Sequence, residues 1–111
     1  MICRVWRGWT TPENADRYDD YLQKELFPHL KHDLREHGFR GHQLLRLNRD
    51  EETEFMTMLY FESIDKVRAF AGESYGTPVI STKARAMLSR YADHADPYEV
   101  SGFQFESREE R

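Results

Sequence analysis

Two stretches of the chain repeat one order of apolar and polar positions. In each stretch, an apolar segment typical of a strand leads to a hydroxyl residue that can cap a helix, and an amphipathic segment follows. The first runs over residues 2–9 and then Thr11-Pro12-Glu13-Asn14, and the second runs over residues 55–61 and then Ser63-Ile64-Asp65. Each is followed by one more strand-like segment. This order predicts an α+β, ferredoxin-like split βαβ fold with a four-stranded antiparallel sheet.

The spacing of apolar residues predicts the helices. After the Thr11 cap, Pro12 falls at the first helical position, where its missing N–H costs nothing, and apolar side chains recur at 3-4 spacing up to Leu26. Pro28 predicts an interruption of this helix, because a proline in a helix interior removes a backbone hydrogen bond. The other expected elements are helices over residues 29–36, 64–71 and 82–92, and strands over residues 42–48, 53–61 and 98–105.

The predicted strand over residues 53–61 is apolar on both of its faces. Phe55, Leu59 and Phe61 alternate with Met56, Met58 and Tyr60. A strand covered on one side only should alternate between apolar and polar residues, so both faces are expected to be buried. Helices can cover one face, and the other predicts a homodimer in which two sheets close into a β-barrel. The alternative is that the C-terminal tail covers the methionine face.

Composition limits the class of protein. A chain of 111 residues has room for one domain, assigned to residues 1–105, with a polar C-terminal tail over residues 106–111. The net charge of −4 gives no basic footprint for nucleic acid. The N-terminus lacks the pattern of a signal peptide, and no apolar run approaches the ~20 residues that span a membrane. We therefore expect a cytoplasmic protein with no nucleic-acid or membrane partner.

The second copy of the pattern carries a family resemblance. The segment Phe61-Glu62-Ser63-Ile64-Asp65-Lys66-Val67-Arg68-Ala69-Phe70-Ala71-Gly72 resembles the antibiotic biosynthesis monooxygenase-like (ABM) proteins of the dimeric α/β-barrel superfamily. Further fits are Val5-Trp6-Arg7-Gly8, Pro12-Glu13-Asn14-Ala15 and Ala95-Asp96-Pro97-Tyr98-Glu99-Val100. The resemblance covers residues 2–100 and implies the barrel-forming dimer. It leaves the reaction open, because this fold hosts oxygenases, isomerases, decarboxylases and proteins without known activity.

At the positions that the family uses for chemistry, this chain differs. Quinone-forming and haem-degrading members place a Trp at the end of the third strand, where this chain has Phe61. They place an Asn on or beside the first strand, where this chain has Trp6. Haem-degrading members also need an iron-ligating His after the second-copy helix, and residues 73–83 contain none. The comparison argues against haem degradation. An oxygenase of this type would act without a cofactor.

A pocket between the sheet and the helices is the expected site for a small aromatic ligand, because such pockets are mostly apolar with few polar groups. The predicted substrate-binding residues are Trp6, Tyr18, Phe55, Phe61, Tyr75, Tyr91 and Arg4. His42 is predicted to take a phenol proton, since a free imidazole titrates near neutrality, and Arg46 or Arg4 to stabilise the resulting oxyanion. The predicted function is a cofactor-independent oxygenase-like enzyme, or a related isomerase or cyclase, acting on an aromatic small molecule.

Two simpler interpretations stay open. The chain can be a non-catalytic small-molecule-binding protein with the same pocket, or a structural dimer whose aromatic residues only fill a core. The histidines at positions 29, 32, 37 and 42 lie close in sequence and could bind zinc or copper. Their spacing matches no standard motif and charged residues surround them, so no metal or cofactor is predicted. Cys3 is expected to be a buried, inert thiol.

Overall fold

Three long antiparallel strands form the centre of the sheet in the computed structural model, which describes residues 1–106. They are β1 (Ile2–Thr10), β2 (Phe39–Asn48) and β3 (Thr53–Phe61), with β3 between the other two. Two short strands, β4 (Arg90–Tyr91) and β5 (Asp96–Glu99), pair one after the other with the outer edge of β1. The result is a five-stranded antiparallel sheet in an α+β fold. It is consistent with the predicted ferredoxin-like order, with the last strand divided in two.

The first connection between strands is an unbroken helical segment. Thr11 caps α1 (Pro12–Tyr21) by accepting a hydrogen bond from the Asn14 N–H, as predicted. A π-helical turn (Leu22–Leu26), α2 (Phe27–Leu34) and a 3-10 turn (Arg35–His37) follow without a loop. The predicted interruption at Pro28 is wrong. The helical segment continues through Pro28, and the local change in its hydrogen bonding is the π turn that ends just before Phe27.

The second connection is divided into two short helices. Ser63 caps α3 (Ile64–Ala71), which ends at Gly72 as predicted, and Ser81 caps α4 (Thr82–Met87). The predicted helix over residues 82–92 is too long. The chain becomes extended at Leu88, and the Ser89 N–H donates to the Trp9 carbonyl at 2.8 Å. Pairing with the edge of β1 therefore replaces the last helical turns.

The last strand is also shorter than predicted, since β5 covers Asp96–Glu99 rather than residues 98–105. Glu99 pairs with Ile2 at the start of β1, and the Val100 N–H donates to the Met1 carbonyl at 3.0 Å. Beyond this point β1 offers no more backbone to pair with. Phe103 and Phe105 follow and are exposed. Apart from Glu106, the polar tail predicted for residues 106–111 lies outside the described residues.

One face of the sheet packs against the helices and the other does not. On the first, called the helix face, β3 places five buried side chains: Thr53, Phe55, Thr57, Leu59 and Phe61. On the second, called the open face, β3 places four half-buried side chains: Glu54, Met56, Met58 and Tyr60. Neighbouring strand residues point to opposite sides, so the pairing of β1 and β2 with β3 divides their side chains between the same two faces. The predicted alternation of β3 is confirmed.

The core lies between the helix face and the helices. Its most deeply buried large side chains are Tyr18, Leu22, Phe27, Phe55, Phe61 and Val67. β2 begins at Phe39, earlier than predicted, through a register irregularity between Phe39 and Gly41. Within residues 1–106, no helix has both the length and the apolar character needed to cross a membrane.

Candidate functional site

A cavity of about 270 Å³ lies between the helix face and the helices. Its floor is formed by Arg4 and Trp6 on β1 and by Thr57 and Leu59 on β3. Its walls come from the first helical segment, from α3 and α4, and from the chain between these two helices. They comprise Tyr18, Tyr21, Leu22, Leu26, His29, Leu30, Phe70, Pro78, Val79, Ile80, Ser81 and Ala84. A mostly apolar lining with a few polar groups is the usual character of a small-molecule site.

The pairing of the two central strands brings the floor together. Arg4 lies opposite Leu59, and Trp6 lies opposite Thr57. The Trp6 ring is fixed by its Nε1, which donates to the Ala92 carbonyl at 2.9 Å. A Cβ at Gly8 would come within 2.9 Å of Leu88 Cδ2 and 3.4 Å of the Trp6 ring. Glycine at position 8 therefore allows both side chains to lie over β1.

Arg4 places a positive charge on the floor, although only 5% of the residue is exposed. Its Nη2 donates to the Thr77 carbonyl at 2.8 Å and the Tyr75 carbonyl at 3.3 Å, and its Nε donates to the Tyr75 carbonyl at 3.4 Å. Burial lowers the pKa of Arg4, and no acidic side chain in the described chain offsets this effect. An arginine nevertheless keeps its charge at neutral pH.

Tyr18 supplies a hydroxyl to the wall of the cavity. Its ring meets the Phe55 ring edge to face, with ring centres 5.0 Å apart. Burial, assisted by the neighbouring Tyr21, raises the pKa of Tyr18. The hydroxyl therefore keeps its proton at neutral pH and can donate a hydrogen bond.

Two side-chain contacts link the helical segment to the chain that covers the cavity. The Tyr21 hydroxyl and Ser81 Oγ share a hydrogen bond of 2.7 Å. Lys83 Nζ donates to both carboxylate oxygens of Glu25 at 2.8 Å. The exposed rim of the cavity lies between His29 and Val79. At this rim, His29 Nε2 lies 3.0 Å from a carboxylate oxygen of Asp33. Access to the cavity is therefore expected where α1 and α2 meet residues 78–83.

The structure brings three of the seven predicted substrate-binding residues together in the cavity: Arg4, Trp6 and Tyr18. Phe55 and Phe61 do not line it, because they pack fully into the core. Tyr75 holds Arg4 through its carbonyl, and its ring lies under Arg68. Tyr91 packs its ring 6.0 Å from the Trp6 ring at the edge of the sheet. Tyr75 and Tyr91 thus support residues of the cavity from outside it.

Both predicted catalytic residues lie outside the cavity, on strand β2 at the edge of the helix face. His42 stacks on Phe27 with ring centres 3.9 Å apart, and burial together with the charge of Lys31 lowers its pKa. Arg46 forms ion pairs with Asp16 at 2.9 Å and Asp19 at 3.0 Å. The structure does not bring either side chain to Arg4 or Trp6. Their catalytic role stays a prediction.

Thr57 and the covering residues 78–81 line the cavity but are not among the residues predicted from the sequence. Thr57 is a polar residue in the middle of the helix-face row between Phe55 and Leu59. A hydroxyl at the centre of an apolar row is a signal that could have been used, because a buried polar group needs a partner. Residues 78–81 carry no comparable signal, since Pro-Val-Ile is equally typical of an ordinary loop that packs on a core.

The clustered histidines do not converge in space on a common site. His29 Nε2 and His32 Nδ1 each lie 3.0 Å from the Asp33 carboxylate on an exposed side of α2, while His42 faces Phe27. In the part of the chain that the structure describes, no group of three or more His, Cys, Asp or Glu side chains is placed to hold a metal ion. Cys3 is buried, and burial raises the pKa of its thiol.

Known proteins add no family assignment to this geometry. Neither the comparison with protein families nor the comparison with curated proteins finds a match for this chain.

Proposed function

We propose that this chain binds a small aromatic molecule in the cavity between the sheet and the helices. The observation that carries the proposal is a mostly apolar cavity of about 270 Å³ that has the Trp6 and Tyr18 rings and the Arg4 charge on its surface. Pockets for drug-sized ligands measure about 300–1,000 Å³. A ligand of one or two fused rings suits the smaller space.

A filled structural core explains this region less well. Protein interiors contain few voids larger than a water molecule, and a void lowers stability because its lining loses contacts. A buried charge without an ionic partner lowers stability further. Both costs are explained if the space serves to hold a ligand.

The binding proposal can be tested with 2-naphthol and a variant that fills the cavity. Ala84 lines the cavity on α4, whereas Ala86 lies on the same helix and is exposed. We expect 2-naphthol to bind the wild type and the Ala86→Leu control, and not to bind Ala84→Leu, when binding is followed by titration calorimetry. Equal binding by both variants would place the ligand elsewhere, and no binding of 2-naphthol or of any other naphthalene probe by the wild type would reject the proposal.

The second candidate is catalysis of the ABM type, favoured by the resemblance of residues 2–100 and by an imidazole at the rim. Among the described residues, His29 is the only histidine that lines the cavity. In such a reaction His29 would take the proton of a phenol, and Arg4 would stabilise the oxyanion. Oxidation of 1-naphthol by O₂ to 1,4-naphthoquinone with release of water needs no other oxidant. An isomerase or cyclase would use the same two groups.

Oxygen uptake and quinone absorbance distinguish the two candidates. If the chain is such an oxygenase, the wild type consumes O₂ in proportion to the quinone formed, and His29→Ala loses this activity. His42→Ala is the matched comparison, because His42 lies outside the cavity. Loss in His42→Ala alone would restore His42 as the predicted base. No uptake by the wild type, with 2-naphthol bound, would favour the non-catalytic binding protein.

The proposed assembly is a homodimer that joins two open faces into a β-barrel. Beside the half-buried Met56 and Met58, the open face carries Leu45 and Leu47 on β2, which are 43% and 50% exposed. Tyr98 on β5, opposite Cys3, extends this apolar surface at 58% exposure. Contiguous apolar surface of this kind is typical of a protein contact.

Sedimentation of matched variants tests the dimer. Leu45→Lys puts a charge on the open face, and Val79→Lys puts one on an exposed apolar residue of the loop before α4. We expect the wild type and Val79→Lys to sediment as dimers and Leu45→Lys to dissociate. A wild type that is monomeric at all concentrations would reject the assembly.

A further inference from the structure

The guanidinium of Arg4 is a buried charge whose partners in the described chain are only neutral groups. The residue is 5% exposed, its hydrogen bonds go to two backbone carbonyls, and the Phe70 ring lies 5.5 Å away. Carbonyl dipoles and a ring face reduce the cost of burying a cation but do not neutralise it. Within residues 1–106, no carboxylate forms an ion pair with Arg4. An anion in the cavity would supply the missing charge.

The nitrogen atoms of Arg4 are used unequally. Nε and Nη2 hold the Tyr75 and Thr77 carbonyls, whereas Nη1 donates no hydrogen bond to any group of the described chain. A guanidinium has five N–H groups, and two of them belong to Nη1. Arg4 can therefore hold the covering chain with one side and present both Nη1 hydrogens to a ligand.

The other polar groups around the cavity favour an acceptor on the ligand. The Tyr18 hydroxyl keeps its proton and makes no hydrogen bond to another residue in the described chain, so it can donate. The Trp6 N–H is already used by the Ala92 carbonyl, and the Tyr21 and Ser81 hydroxyls bond to each other. Three groups are left for a ligand: Arg4 Nη1, which can only donate, and the Tyr18 and Thr57 hydroxyls, each of which can donate as well.

We propose that the ligand of this cavity is an aromatic carboxylate whose carboxylate group binds Arg4 Nη1 and whose ring lies against Trp6 and Leu59. This inference rests on the proposed binding function and specifies its ligand class. A carboxylate matches the planar guanidinium and accepts charge-assisted hydrogen bonds, which are about twice as strong as neutral ones. Arg4 then has two tasks: it ties residues 75–77 to the sheet and it selects an anion.

The test uses two probes of the same shape. At pH 7, 2-naphthoate carries a carboxylate, and 2-naphthamide is its neutral analogue. We expect the wild type to bind the naphthoate about tenfold more tightly, as a charged hydrogen bond in a buried site allows. We expect Arg4→Gln to bind both probes with similar affinity, and Arg4→Lys to keep part of the preference. Titration calorimetry measures all three ratios.

The outcomes separate this inference from the binding proposal. If the wild type binds both probes equally, or if Arg4→Gln keeps the preference, the carboxylate assignment is wrong while the cavity remains a binding site. If the wild type binds neither probe nor 2-naphthol, both proposals fail. The wild-type ratio decides the question even if Arg4→Gln does not fold, and loss of the loop contact alone would weaken both probes without changing their ratio.

Discussion

The two faces of β3 belong to the same nine residues and have opposite surroundings. On the helix face, Phe55 and Phe61 are 0% and 1% exposed, whereas Met56 and Met58 on the open face are only half-buried. The neighbouring strand β2 extends the contrast, because Leu44 packs against the core while Leu45 is exposed. A single strand thus joins a nearly complete core to a surface that residues 1–106 leave partly uncovered.

Each face is incomplete in a different way, and we propose a different partner for each. The helix face encloses a small space with a charge on its floor, which suits a small anionic molecule. The open face has a broad apolar surface that also carries two ion pairs, Arg90 with Glu52 at 2.7 Å just before β3 and Arg7 with Glu54 at 3.6 Å beside Met56. Exposed apolar surface of this kind is typical of a protein contact. Both faces of the sheet carry apolar side chains. They differ because the helices pack against the helix face and not against the open face.

The largest effect is expected from truncating one residue on each face. Phe55→Ala removes a fully buried ring that contacts Tyr18 and should lower the free energy of unfolding by about 3–5 kcal/mol. Met56→Ala, its neighbour on the open face, should cost less than about 1 kcal/mol in dilute protein. Urea denaturation measures both, and Phe55→Leu gives a milder variant if Phe55→Ala does not fold.

The same pair also reports on the dimer. If the open faces join, the cost of Met56→Ala should grow with protein concentration, because stability of a dimer is linked to its association. The cost of Phe55→Ala should not follow this trend. Equal costs for the two substitutions in dilute protein would mean that the faces do not differ in the way the structure shows.

A smaller effect is expected at the end of the helix face, where two threonines pair across β1 and β3. Thr10 and Thr53 are cross-strand neighbours with 0% and 2% exposure. Thr53 Oγ1 donates to Asn48 Oδ1 at 3.3 Å, whereas Thr10 Oγ1 is the one fully buried side-chain oxygen or nitrogen without a partner within residues 1–106. Thr10→Val should therefore stabilise the fold by about 1 kcal/mol, because it removes an unsatisfied hydroxyl.

Thr53→Val is the matched control for that change. It should destabilise the fold by about 1 kcal/mol, since it breaks a hydrogen bond and leaves Asn48 with one partner fewer. Thermal unfolding of the two variants should shift the midpoint in opposite directions. Midpoints that shift in the same direction would show that a solvent molecule or another group satisfies Thr10. Among the described residues, the unpartnered polar groups of the helix face would then be confined to the cavity.

The fold was predictable because its signals are local and repeated. The caps Thr11 and Ser63 and the alternation of β3 are set by neighbouring residues, and the structure has them where the sequence predicts. The errors occur where distant segments compete. The helix after Ser81 stops because β1 offers Ser89 a backbone acceptor, and β5 stops because β1 has ended. The end of each element therefore cannot be predicted from the residues of that element alone.

The candidate site was predictable only in part, for a related reason. Alternation places Arg4, His42 and Arg46 on one face, but it does not say which of them lies over the centre of the sheet. Strand order decides this: β1 is central and β2 is the edge. Arg4 therefore reaches the cavity, while Arg46 turns to the carboxylates of Asp16 and Asp19.

The smallest effect concerns His42, at the edge where the helix face meets solvent. Burial and the charge of Lys31 hold the pKa of His42 below its ordinary value of 6.5 in the folded state. The unfolded chain therefore binds more protons between these two pKa values, so stability should fall as the pH drops from about 6.5 through the folded pKa of His42.

His42→Gln should lose less stability than the wild type between pH 8 and pH 5.5, as measured by thermal unfolding. The exposed His94→Gln serves as the control and should follow the wild type. If His42→Gln and the wild type show the same pH dependence, the stacking of His42 on Phe27 does not shield the imidazole, and the covered part of the sheet ends before β2.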